Sequence, residues 1–156
     1  MAKRGSTRGF IKAVNKWTRE TEERSEVAFQ NTILEVYDEL RKNTPVDTGN
    51  LRDAWVVSKN GSPIQTVTGP GDSPSQSNNR SGISQSIATI MSLKIGDRAS
   101  IMNHATYFLR IERGFVGYDS RGRFFNQQGR WFAAKVFAQY RSIARRVATA
   151  LKLQMR

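Results

Sequence analysis

From Thr7 to Asn43 the apolar positions Phe10, Val14, Trp17, Ala28, Ile33, Val36 and Leu40 recur at helical steps, with Thr21 in the same row and charge on the other faces. This period predicts one long amphipathic helix. At about 1.5 Å per residue it reaches on the order of 50 Å, more than one small domain covers. The stretch from Arg19 to Arg24 is almost wholly polar, so the N-terminal half is expected to pack on a neighbouring chain or to leave the body as an arm. Pro45 stops the helix.

Beyond Pro45 the pattern shortens. Val46 to Ala54 predicts a turn and a short helical turn capped by Asp47, and Trp55, Val56 and Val57 predict a strand. Asn60-Gly61 is a hairpin signal, with Ile64, Thr66, Val67 and Thr68 as the expected return strand. Gly69 to Gly82 is composed of Gly, Pro, Ser, Asn and Gln around one Asp and one Arg, which predicts a mobile loop. Ile83, Ile87, Ile90 and Met91 are spaced for a short helix, with Ser81 as its cap and Gly96 placed to end it. Arg98 to Met102 predicts a strand, Ala105 to Arg113 a helical turn, and Gly114 to Gln128 an exposed aromatic loop. Phe132, Val136, Tyr140, Ile143, Val147 and Leu151 then predict a second long amphipathic helix. The expected fold is α+β: long N- and C-terminal helices packed on a small antiparallel sheet with a long flexible loop. It is divided into an arm over residues 1–43 and a core over 44–156, one structural domain overall.

Composition narrows the function classes. At 156 residues the chain is the size of one domain, and its hydrophobic fraction of 38% is low for a self-sufficient globule. With no cysteine and only His104 as histidine, thiolate metal sites, disulfides, cysteine nucleophiles and paired-histidine metal sites are excluded. No apolar run is long enough for a membrane span, and the N-terminus does not resemble a signal peptide, so a soluble, non-exported protein is expected.

The net charge of +12 is concentrated towards the C-terminus. Arg121, Arg123, Arg130, Lys135, Arg141, Arg145 and Arg146 lie in a region without a single acidic residue after position 119. Such a stripe attracts phosphates or an acidic protein surface, or simply keeps a helix face solvated. No helix-turn-helix, zinc finger or RNA-binding signature accompanies it.

Two groups of residues are candidates for chemistry. Asp47-Thr48-Gly49 is the triplet with which aspartic proteases present a carboxylate, but here Pro45 precedes it and Asn50-Leu51-Arg52 leads into a helical turn, not out of a buried strand. Ile95-Gly96 is only a faint echo of that family's supporting element. Asn103, Tyr107, Glu112 and Gly114 form the second group. An enzyme would pair Glu112 with Asp47 or Asp53 as acid and base. The simpler reading has Glu112 holding an arginine, with Arg52 as candidate, while Gly114 turns the chain sharply. His104 is read as a polar residue at a strand end.

These segments together resemble the tail-completion or neck family of long-tailed bacteriophages, the group that includes the lambda tail protein Z. The resemblance rests on Thr44 to Arg52 with Trp55 after it, on Ile101 to Tyr107 followed by Ile111-Glu112-Arg113-Gly114, and on Asn126 to Trp131. It departs from the family pattern at Thr106, where proline is common, and in the insert from Phe115 to Phe125. It implies a structural virion protein without enzymatic activity or cofactor, located in the neck or tail and in the host cytoplasm during assembly. It implies a homo-oligomeric ring, hexameric or dodecameric, that joins tail to head and touches other neck, portal-adaptor or tail proteins and the packaged DNA, but no membrane. In that reading Asp47, Thr48, Gly49, Leu51, Arg52, Trp55, Asn103, Tyr107, Glu112 and Gly114 hold the fold, and the basic residues from Arg121 to Arg146 face the DNA channel or a partner. The alternative is a basic, nonspecific nucleic-acid-binding protein.

Overall fold

A computed structural model describes residues 7–61, 76–118 and 121–154. Its architecture is α+β. Helix α1 (Thr7–Asn43) is continuous, and its C-terminal half carries the core residues Ile33, Val36, Tyr37 and Leu40. Its N-terminal half is exposed along its length. The helix ends where the Thr44 hydroxyl and amide both donate to the Leu40 carbonyl, at 2.6 and 3.1 Å, one residue before Pro45 withdraws the next donor.

A single helical turn, α2 (Asn50–Asp53), leads into strand β1 (Trp55–Lys59). Asn60 and Gly61 both adopt positive φ, 54° and 72°, as a tight hairpin turn requires. The return strand expected at 64–68 lies outside the described residues. Among those described, β1 pairs antiparallel with the distant β2 (Ala99–Asn103), from Trp55 opposite Asn103 to Lys59 opposite Ala99.

Helix α3 (Gln76–Met91) corrects two expectations. Residues 76–82, read as part of a mobile loop, are helical, so Ser81 lies inside the helix and cannot cap it; the loop expected before Gln76 lies outside the described residues. Polar composition lowers helix propensity only slightly, and α3 is held by tertiary contacts. Ile90 and Leu93 are fully buried, the Ser86 hydroxyl accepts the Val57 N–H at 3.2 Å, and Gln30 of α1 donates to the carbonyls of Met91 and Leu93 at 3.1 and 2.8 Å. Gly96, expected to end this helix, instead takes φ 93° in the turn that follows.

That turn is closed by Asp97, whose carboxylate accepts from Lys59 and Asn60 at 2.7 Å each and from the Lys94 amide at 2.7 Å. These donors, Lys59 first, lower its pKa from 3.8 to about 2. A depressed carboxylate stabilises the fold above its unfolded pKa and loses that contribution as pH falls towards the folded value. The thermal midpoint is therefore expected to drop between about pH 4 and pH 2, and the drop should be shallower in Asp97→Asn, as followed by circular dichroism. Equal slopes would remove Asp97 from the account.

After β2, α4 (Phe108–Arg113) runs into strand β3 (Gly114–Tyr118), which pairs antiparallel with β4 (Phe124–Gln128). The segment expected to be an aromatic loop is thus a β-hairpin. Arg110 lies over the Phe115 ring at 4.6 Å, and Tyr118 meets Phe124 edge-on at 5.3 Å. The expected C-terminal helix is interrupted. Helix α5 (Phe132–Ala138) and helix α6 (Tyr140–Gln154) are separated by Gln139, whose carbonyl accepts the amides of Ser142 and Ile143. Phe132, Ala133, Val136, Ile143 and Val147 are buried, and α5 and α6 both pack on α1. Among the described residues no helix is long and apolar enough to cross a membrane.

Candidate functional site

The motif residues separate into two structural knots and an outer surface. The first knot ties the end of α1 to the small sheet. Trp55, only 2% exposed, donates from Nε1 to the Thr44 hydroxyl at 2.8 Å, and its carbonyl accepts the Tyr37 hydroxyl at 3.2 Å. Its ring meets Phe108 edge-on at 5.4 Å, and Phe108 meets Phe132 in the same way at 5.7 Å. Asn103, at the end of β2, donates to the Leu51 carbonyl at 2.8 Å and accepts the Ala105 amide at 3.0 Å. One amide side chain so fixes α2, β2 and the entry to α4, and Leu51 is buried beneath it.

Asp47 does not cap α2. The residue preceding the helix is Gly49, with φ 90° and no side-chain cap, and Asp47 and Thr48 are exposed. Only a glycine takes that left-handed conformation cheaply, so the triplet turns the chain into α2. Burial first, and then the Asp47 carboxylate, raise the pKa of Tyr107, which is 40% exposed. Asp53 accepts from Arg41 at 3.2 Å and from Arg52 at 3.1 Å. Desolvation raises the Asp53 pKa, but these two guanidinium groups outweigh it and hold the carboxyl below its ordinary 3.8.

The second knot corrects the role given to Glu112. Its partner is not Arg52. The carboxylate, 6% exposed, accepts the amides of Ala133 and Ala134 at 3.1 and 2.9 Å, and so caps the N-terminus of α5 from another element. The Glu112 carbonyl also accepts the Trp131 amide at 3.0 Å, and the Ile111 carbonyl accepts the Arg130 amide at 3.0 Å. This close approach explains the glycines. A Cβ on Gly114, whose φ is 91°, would lie 2.5 Å from the Gln127 carbonyl oxygen, and one on Gly129 would lie 2.4 Å from the Arg113 carbonyl carbon. The three acids singled out in the sequence do not come together: Glu112 is bonded to α5, Asp53 lies between two arginines, and Asp47 is exposed.

The basic residues do not form one uniform stripe. Arg146 is bound to Glu35 of α1, with Nε at 2.9 Å, and Arg123 lies over the Phe125 ring at 5.7 Å. Arg130, Lys135, Arg141 and Arg145 are exposed on or beside α5 and α6. The hairpin also carries exposed apolar surface, where Val116 and Tyr118 are 69% and 71% exposed. Sequence reading passed over Gln30 and Asp97, which close turns from elements remote in sequence. No periodicity marks such residues, because a single polar side chain gains its partner only when the chain folds.

The family model described as Bacteriophage HK97-gp10, putative tail-component, matches residues 8–88, from α1 through α2 and β1 into α3. No curated protein and no solved structure matches the chain. The matched part is just over half of the 156 residues, and it includes the arm, the α1–Trp55 knot and the helix that covers β1. The chain belongs to the HK97-gp10-like family of bacteriophage tail components.

Proposed function

We propose that this protein is a ring-forming tail-completion or neck subunit that joins the tail to the head, in the manner of the lambda tail protein Z group, and that it catalyses no reaction. The observation that carries this reading is the division of α1. Its C-terminal half lies on the core, whereas its N-terminal half is a helical arm with Phe10 71% and Trp17 67% exposed. An apolar helix surface held away from its own domain needs neighbouring subunits to cover it. Residues 44–156 with the second half of α1 form the body, and residues before about Phe29 form the arm. The ring, sixfold or twelvefold, closes through heterologous contacts made by the arm and the exposed hairpin. The residues of the two knots keep the body rigid, and the exposed Arg130, Lys135, Arg141 and Arg145 face packaged DNA or an acidic neighbouring ring.

Native mass measurement of the purified chain, followed by localisation in intact particles, tests the reading. The expected result is a closed oligomer placed between tail and head. A stable monomer absent from particles would overturn it. Tight, steeply salt-dependent DNA binding by the isolated subunit would favour the nucleic-acid-binding alternative instead.

A further inference from the structure

The sheet formed by β1 and β2 has one edge closed and one edge open. Bonds from the Asn60 amide to the Arg98 carbonyl, at 2.8 Å, and from the His104 amide to the Ala54 carbonyl, at 3.0 Å, bracket the antiparallel pair. Antiparallel bonding alternates, so Val56, Ser58, Ser100 and Met102 bond across the pair, whereas Trp55, Val57, Ala99 and Ile101 turn their backbone groups outward. On β1 the outward groups are answered. The Trp55 carbonyl accepts the Tyr37 hydroxyl and the Val57 amide donates to the Ser86 hydroxyl, each at 3.2 Å. On β2 the outward amides and carbonyls of Ala99 and Ile101 meet no hydrogen-bonding group among the described residues. Edge strands are ordinarily protected by charge, proline or a bulge. Strand β2, Ala-Ser-Ile-Met-Asn in unbroken register, has none of these. Only an extended backbone supplies the alternating donors and acceptors that complete such an edge.

We propose that this backbone is β3 of a second copy, added antiparallel to β2. Strand β3 is five residues long like β2, uncharged, and part of a two-stranded sheet, so one of its edges is likewise unpaired among the described residues. The faces also match. In β1 and β2 the odd-numbered Trp55, Val57 and Ile101 pack on the core, and in the hairpin the odd-numbered Phe115 lies beneath Arg110 of α4. The even-numbered Met102, Val116 and Tyr118 are open, at 42%, 69% and 71% exposed. Joined with like faces together, the two ribbons make one four-stranded sheet with helices on one side. Size sets the register: Met102 opposite the partner's Val116 places Ser100 opposite the partner's Tyr118 and Ile101 opposite the partner's Gly117, large against small. Strand β4 fits less well, since it would set the amides of Asn126 and Gln128 on the face where β3 sets Val116.

This contact rests on the ring reading above and names the surface that the hairpin meets. The edge of β2 and the edge of β3 are different surfaces, so their pairing is heterologous and repeats from copy to copy around a ring. A pair of β2 edges would instead close as a two-fold dimer.

The chain has no cysteine, so introduced thiols report the contact. In this register Met102 and the partner's Val116 form a non-hydrogen-bonded pair, with Cα atoms about 4.5 Å apart and within disulfide range. Both side chains are exposed, so neither substitution disturbs the core. Met102→Cys mixed with Val116→Cys is expected to give a disulfide-linked heterodimer under mild oxidation. Met102→Cys mixed with Asn126→Cys, which reports β4, or with Ser100→Cys, which reports a pair of β2 edges, is expected to stay unlinked. Ile101→Pro removes an outward amide and keeps the β1–β2 backbone bonds; added to Met102→Cys it should lower linking about tenfold with unchanged circular dichroism. In the unmodified protein, amide exchange at Ala99 and Ile101 should slow as concentration rises to about 100 μM. Linking through Asn126→Cys or Ser100→Cys in place of Val116→Cys, or a chain still monomeric at about 100 μM, would each overturn the proposal. Closed rings in which the Ala99 and Ile101 amides stay unprotected overturn this contact and leave the ring standing; linked open chains that never close do the reverse.

Discussion

Trp55→Ala is expected to be the most damaging single substitution in the body, lowering stability by about 3–5 kcal/mol, the range for deleting a large buried aromatic side chain. The physical reason is that Trp55 joins three elements at once. Its ring packs on Phe108, its Nε1–H satisfies Thr44, and Thr44 in turn closes the end of α1 on the Leu40 carbonyl. Removal leaves a cavity beneath α4 and a buried hydroxyl with one partner fewer. At about 2–4 °C per kcal/mol for a chain of this size, the thermal midpoint should fall by roughly 6–20 °C. Trp55→Phe keeps most of the packing and loses only the indole donor, so its loss should stay near 1–2 kcal/mol. If thermal unfolding places Trp55→Ala within about 1 kcal/mol of the parent, the knot does not organise the body.

Glu112→Ala is the second. A carboxylate bonded to two amides at a helix N-terminus compensates donors that have no intrahelical partner, and hydrogen bonds to a charged group contribute about 1.5–3 kcal/mol each way of counting. Ala133 is 4% exposed, so its amide cannot recover the loss from bulk water. Helix α5 spans only Phe132–Ala138, too short to persist without its cap and its packing. The expected destabilisation is about 2–4 kcal/mol, with amide exchange accelerated over Ala133 to Val136. Glu112→Gln retains acceptor geometry but not charge and should lose about half as much. Arg52→Ala supplies the contrast. Its side chain is 41% exposed and paired with Asp53, so the cost should remain under about 1 kcal/mol. A large effect at Arg52 with a negligible one at Glu112 would contradict the capping role.

Some of this was visible in the sequence, because periodicity is a local property. The extent of α1 follows from its apolar spacing and from Pro45, and Gly114 was expected at a sharp turn, where it takes φ 91°. Asn103 was picked out as an amide at a strand end, which is where it stands, joined to Leu51 and Ala105. The tertiary pairings are equally instructive. The Asn60-Gly61 turn forms, and among the described residues β1 pairs with residues 99–103, nearly forty positions on, a partner that no local signal marks, since a turn fixes local dihedrals only. The hairpin from Gly114 to Gln128 was hidden by glycines and polar residues whose strand character depends on cross-strand contacts such as Tyr118 with Phe124.

Glu112 marks the boundary most clearly. Its charge suggested an arginine, and only the fold shows it committed to two backbone amides 21 and 22 residues further along. By itself the sequence determined the elements whose period is written into neighbouring residues: the long first helix, the helical turns and the amphipathic C-terminal stretch. Tertiary structure alone decided which strands pair, which acid caps which helix and which basic side chain is tied to Glu35. Those choices depend on groups distant along the chain, and each is settled by the desolvation of polar atoms that must find a partner once the core closes.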